Sequence, residues 1–93
     1  MNNLETVCIH AIVSGKVQGV FYRDTTQKKA KTLGITGWVK NTEDGHVEVI
    51  ACGNRVALTQ FIEWLWQGPA RAKVNNVTWK EIPRETHTVF SIQ

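Results

Sequence analysis

The chain has 93 residues, 42% apolar and 20% charged, a globular rather than disordered composition whose length suits one domain. Its net charge of +3 favours anionic partners weakly and falls short of the charge density of a dedicated nucleic-acid binder. No run approaches the roughly eighteen apolar residues of a membrane span, and "MNNLETVCIHAIVSG" has no basic segment ahead of a stretch that His10 breaks, a poor signal peptide, so a cytoplasmic location is expected.

Thr6 to Val13 is β-branched and alternates. That predicts a first strand with Val7, Ile9, Ala11 and Val13 toward a core and Cys8, His10 and Ile12 on the other face. A glycine-containing loop from Gly15 to Val20 follows, and Tyr22 to Leu33 reads as a helix with Tyr22, Thr26, Ala30 and Leu33 along one face and Gly34 just beyond its end. Lys28, Lys29 and Lys31 form its solvated side. Ile35–Asn41 and His46–Cys52 are predicted strands, paired antiparallel because Asp44-Gly45 between them is a strong hairpin signal. Asn54 suits the cap of a second helix running to about Trp66, with Leu58, Phe61, Ile62 and Leu65 at core spacing. Val74–Ile82 is a fourth strand and Thr88–Ile92 a short last one.

The order β-α-β-β-α-β predicts an α+β, ferredoxin-like sandwich: an antiparallel sheet with two helices on one face and a short extra C-terminal strand. Such a fold hosts metal carriers, RNA-binding modules, regulatory domains and enzymes, so function must come from a site. In "SGKVQGVFYR" (Ser14–Arg23) two glycines stand four apart between a strand and a helix, with Arg23 in the first helical turn. Glycines let successive N–H groups turn into one concavity, the helix adds its unpaired N–H groups and positive dipole end, and a guanidinium suits a tetrahedral anion. The same features alone also fit a tight connection followed by a surface arginine. A Walker-type P-loop is excluded by the missing G-x-x-x-x-G-K-[ST] pattern, and a phosphocysteine mechanism by the lack of any cysteine between Ser14 and Arg23.

"VSGKVQGVFYR" resembles the first signature of the acylphosphatases, an apolar residue followed by x-G-x-V-Q-G-V-x-[FM]-R, and "GWVKNTEDGHVEVIACG" (Gly37–Gly53) resembles their second. The two occur in order and at the family's separation, with matching elements around them. The resemblance implies hydrolysis of acyl phosphates to a carboxylate and inorganic phosphate by a monomer, without metal or cofactor. It implies that Arg23 and the backbone amides of Gly15, Lys16, Val17, Gln18, Gly19 and Val20 hold the phosphate, and that Asn41 positions the attacking water. Two positions depart from the pattern: Tyr22 stands where Phe or Met is expected, and Ile92-Gln93 stand where many relatives carry an arginine or Arg-Tyr. The Lys16 side chain occupies a variable position and takes no part in catalysis; the Gln18 side chain is expected to brace the loop.

In the ferredoxin-like arrangement the first and third strands are antiparallel neighbours, so Cys8, near the start of one, and Cys52, at the end of the other, fall on the face away from the helices where they could meet. A disulfide between them is a candidate in purified protein, where it would close a long loop, whereas a reducing cytosol opposes it. A nucleic-acid module on the same fold would display aromatics on that open face, whereas Cys8, His10, Ile12, Glu48 and Ile50 make a poor stacking platform. A non-catalytic phosphate- or carbamoyl-phosphate-binding domain is the other alternative.

Overall fold

A computed structural model describes residues 5–93; the first four residues, part of the stretch read as a poor signal peptide, lie outside it. Seven elements follow one another: β1 (Val7–Lys16), α1 (Tyr22–Thr32), β2 (Thr36–Asn41), β3 (Val47–Gly53), α2 (Arg55–Gln67), β4 (Lys73–Ile82) and β5 (Phe90–Ile92). They form a five-stranded sheet in the order β4-β1-β3-β2-β5. Each neighbouring pair among β4, β1, β3 and β2 is antiparallel, while β5 pairs parallel to β2, so the extra strand makes the sheet mixed rather than wholly antiparallel.

The period-two pattern decides which face is covered. Val7, Ile9, Ala11 and Val13 of β1 pack with Val39, Val47, Val49, Ala51, Val77 and Phe90 from the other strands. Against them lie Tyr22 and Ala30 of α1 and Ala57, Leu58, Phe61 and Leu65 of α2, so both helices cover this one face. The opposite face holds a small cluster of Cys8, Ile50 and Cys52 flanked by Trp38 and Ile82. Cys8 and Cys52 are direct cross-strand partners, and their sulfurs are bonded.

Local chemistry explains the helix boundaries. The Asn54 side chain accepts a hydrogen bond from the Ala57 N–H at 2.8 Å, capping α2. α1 ends in a paired turn in which the Ile35 N–H donates to Ala30 and the Gly34 N–H to Lys31, with Gly34 left-handed at φ 71°. Strand β1, by contrast, runs three residues beyond the expected end at Val13. Gly15 and Lys16 pair with Val74 and Lys73 across a register shift that bulges Asn75 out of β4. Glycine permits this: a Cβ on residue 15 would lie 2.2 Å from the Lys73 carbonyl oxygen, so only a residue without one lets the strands approach there. The connection between β1 and α1 is therefore shorter than the sequence suggests, beginning at Val17.

Candidate active site

Val17 and Val20 are fully or nearly fully buried and anchor the β1–α1 connection in the core, leaving the backbone between and after them to turn outward. Gly19 (φ 74°) and Phe21 (φ 64°) are both left-handed on either side of Val20. Alternation of this kind turns successive N–H groups toward one concavity. For glycine the conformation is free; for Phe21, the only such residue with a Cβ among the described residues, it costs roughly 1–2 kcal/mol. Phe21 is also the N-cap residue of α1, and no side chain caps that end, so the first-turn N–H groups and the positive end of the helix dipole face the same region.

The side chains follow from this placement. Tyr22 points into the core, where its hydroxyl donates to the Leu65 carbonyl oxygen at 2.6 Å and its ring lies 5.6 Å from that of Trp64. The family's Phe-or-Met position thus accepts tyrosine because the hydroxyl finds a partner on α2. Burial pushes the phenol pKa well above its ordinary value. Arg23, one residue on, is half-buried and donates from Nη1 to the Gln93 carbonyl oxygen at 3.0 Å. The backbone N–H of Gln93 in turn donates to Val39 at 2.8 Å, and the Gln27 side chain to Phe90 at 2.9 Å, so the last strand is laced to both β2 and α1 beside the arginine.

Asn41 is the last residue of β2, opposite Val47. Its Oδ1 is buried and has no hydrogen-bond partner, the sole side-chain polar atom of this kind among the described residues. A cavity of about 240 Å³ brings Asn41 together with Arg23, Val17, Gly19, Phe21 and Tyr22, with Asp24 completing its lining. Gln18 does not line it; its side-chain nitrogen donates to the carbonyl oxygens of Thr42 (2.9 Å) and His46 (2.8 Å), clasping the β2–β3 hairpin to the loop. The hairpin has its own clasp, since the Thr42 hydroxyl donates to Asp44 and holds that carboxyl below its usual pKa, aided by His46.

Of the residues singled out from the sequence, Val17, Gly19, Arg23 and Asn41 line one cavity; Val20 is buried behind it, and Gly15 and Lys16 belong to the β1–β4 ladder. Sequence reasoning passed over Phe21 and Asp24, and noted Gln93 only as a departure from the family pattern, not as the partner of Arg23. Phe21 held the variable position of the signature, and the Gln93 contact depends on a backbone carbonyl, which carries no residue-type signal. Among the described residues no group of three or more His, Cys, Asp or Glu side chains is arranged to hold a metal ion, and no helix is long and apolar enough to cross a membrane. A second depression of about 290 Å³ lies away from this site, between α2 and the β1–β4 edge; Leu58, Ile62 and Trp79 line it, with the Arg55–Glu81 pair among its few polar groups.

A cavity lined by Arg23, Asp24 and Asn41 at the first strand-to-helix junction sits on a ferredoxin-like α+β sandwich. The acylphosphatase family profile matches residues 9–92, and the chain belongs to the acylphosphatase family. An acylphosphatase from Coxiella burnetii (strain Dugway 5J108-111) is 54% identical over 86 residues, 92% of this chain and 90% of the relative. The structure of a Coxiella burnetii acylphosphatase superposes with a TM-score of 0.94 at 48% identity over the whole of both chains. That of the Bacillus subtilis acylphosphatase gives 0.91 at 39% identity, covering 94% of this chain and 98% of the other.

Proposed function

We propose that the acyl phosphate hydrolysis of this acylphosphatase-family enzyme runs on Arg23, the amides of the β1–α1 connection and Asn41. The phosphoryl oxygens lie against the Val17–Val20 amides, the uncapped N-terminus of α1 and the Arg23 guanidinium. Gly15 and Lys16 set the point at which the backbone leaves the sheet. Asn41 Oδ1 accepts a hydrogen bond from the attacking water and aims its oxygen at phosphorus. The new P–O bond forms as the bond to the acyl oxygen breaks, the electron pair leaves with the carboxylate, and the proton of the water passes to a phosphoryl oxygen of the substrate. A carboxylate is a good leaving group, so positioning and charge stabilisation suffice without a strong general base, metal or cofactor.

The observation that carries this reading is the buried, unpartnered Asn41 Oδ1 on the same cavity as Arg23. A buried acceptor without a partner is costly, and a substrate water would satisfy it. The test is hydrolysis of benzoyl phosphate followed by ultraviolet absorbance in the presence of EDTA, for wild type, Arg23→Ala and Asn41→Ala. Both variants are expected near background, with only Arg23→Ala also losing competitive inhibition by inorganic phosphate. Full activity in either variant refutes the assignment, and a wild type that binds phosphate without turnover makes the chain a phosphate-binding domain instead.

A monomeric, cytoplasmic, single-domain enzyme over residues 1–93 fits the same reading. The same reading has no nucleic-acid partner, and it is supported by the open sheet face, where His10 and Glu48 pair at 2.7 Å and Lys40 lies 3.8 Å from Glu48 and 5.2 Å from the Trp38 ring centre, so that the aromatic of that face is already engaged. A salt-sensitive RNA titration with appreciable affinity would contradict this.

A further inference from the structure

Phe21 is unfavourable where it stands on two independent counts. Its backbone is left-handed, a conformation that penalises any residue with a Cβ and that Gly or Asn adopts more readily. Its side chain is 68% exposed, so the ring gains little from the core in return. The loop geometry requires a left-handed residue 21, but nothing in that geometry requires an aromatic one.

The ring has a use if the substrate has two ends. When the phosphoryl group lies against the loop amides and Arg23, the acyl group must leave the cavity on its open side. Of the apolar side chains lining the cavity, Val17 and Tyr22 are buried, and Phe21 alone is exposed. We infer that Phe21 is a specificity-determining residue: its ring packs against the acyl group and favours acyl phosphates with apolar, above all aromatic, acyl groups over the small acetyl group. The inference rests on the assignment of Arg23 and the loop amides to the phosphoryl end.

The experiment compares kcat/KM for benzoyl phosphate and acetyl phosphate in wild type, Phe21→Asn and Phe21→Tyr, with Arg23→Ala alongside. Asparagine tolerates the left-handed backbone, so the first variant folds while losing the ring. The benzoyl-to-acetyl ratio is expected to fall about fivefold or more in Phe21→Asn, mainly through a higher KM for benzoyl phosphate, and to be retained in Phe21→Tyr. A ratio unchanged in Phe21→Asn, or lowered equally by Phe21→Tyr, overturns the assignment of Phe21 while leaving the reaction in place. A wild type inactive on both substrates, or an Arg23→Ala variant as active as wild type, overturns the underlying assignment and this inference with it.

Discussion

The Gln18 side-chain nitrogen donates to the Thr42 carbonyl oxygen at 2.9 Å, one residue beyond Asn41. Through this bond, and its companion to His46, the β1–α1 connection and the end of β2 that carries Asn41 are held as one unit. Gln18→Ala removes both. It is expected to lower stability by about 1–3 kcal/mol and to reduce kcat roughly tenfold to a hundredfold, with KM changed less, because misplacement penalises the reacting geometry most. Urea unfolding and steady-state kinetics read the two effects separately. Wild-type kcat in the variant would mean that loop and hairpin keep their register without the clasp.

Tyr22 is the only tyrosine of the chain, so its ionisation can be followed directly by ultraviolet absorbance. Burial raises the folded-state pKa above the ordinary 10.0, and the stability linked to a raised pKa is complete below that unfolded value and is lost as pH climbs past it. Tyrosinate is therefore expected to appear only together with alkaline unfolding. Tyr22→Phe should abolish that coupling at a cost of about 0.5–1.5 kcal/mol at neutral pH, from the lost bond to Leu65. Ionisation in a still-folded chain would contradict the prediction.

The Cys8–Cys52 bond spans a sequence separation of 44 residues. Constraint of the unfolded chain by a loop of that length stabilises by up to about 4 kcal/mol in the entropic description. Dithiothreitol should accordingly lower the urea midpoint of purified protein. Because the bond lies on the sheet face opposite the helices, catalysis in the absence of denaturant should not change. A midpoint indifferent to reductant would refute the stabilisation.

Gly15→Ala tests how β1 continues past Ser14. The added Cβ meets the Lys73 carbonyl oxygen at 2.2 Å and the Asn75 nitrogen at 2.7 Å, on a backbone with φ of 122°. A loss of roughly 3 kcal/mol or more is expected. Thermal unfolding checks it, and a variant within 1 kcal/mol of wild type, on the order of a surface substitution, would contradict the close approach.

The elements that could be read from the sequence are those whose cause is local. Alternation in TVCIHAIV assigns its two faces, Asn54 caps the helix that follows it, Gly34 closes the one before it, and Asp44-Gly45 turns the hairpin. Features made by distant partners could not be read this way. Gly15 looks like a loop residue until β4 arrives beside it, and nothing in TVFSI says that its strand will lie parallel to β2. The cavity shows the same division. The motif points to Arg23 and Asn41 as residue types, whereas the left-handed Phe21 and the Arg23–Gln93 bond exist only through the shape of the folded backbone.

The strand order also sets a timetable for synthesis. β1 is made first, yet its neighbours are β3 and β4, so the central ladder must wait until residue 53 has been made and is complete only after residue 82. Contacts this distant along the chain form more slowly than local ones, because the loop-closure entropy must be met first. The Gln18 clasp needs the hairpin through His46, and the arginine reaches its resting partner only when Gln93 arrives. The connection between β1 and α1 is therefore made some seventy residues before the backbone carbonyl that receives the Arg23 guanidinium.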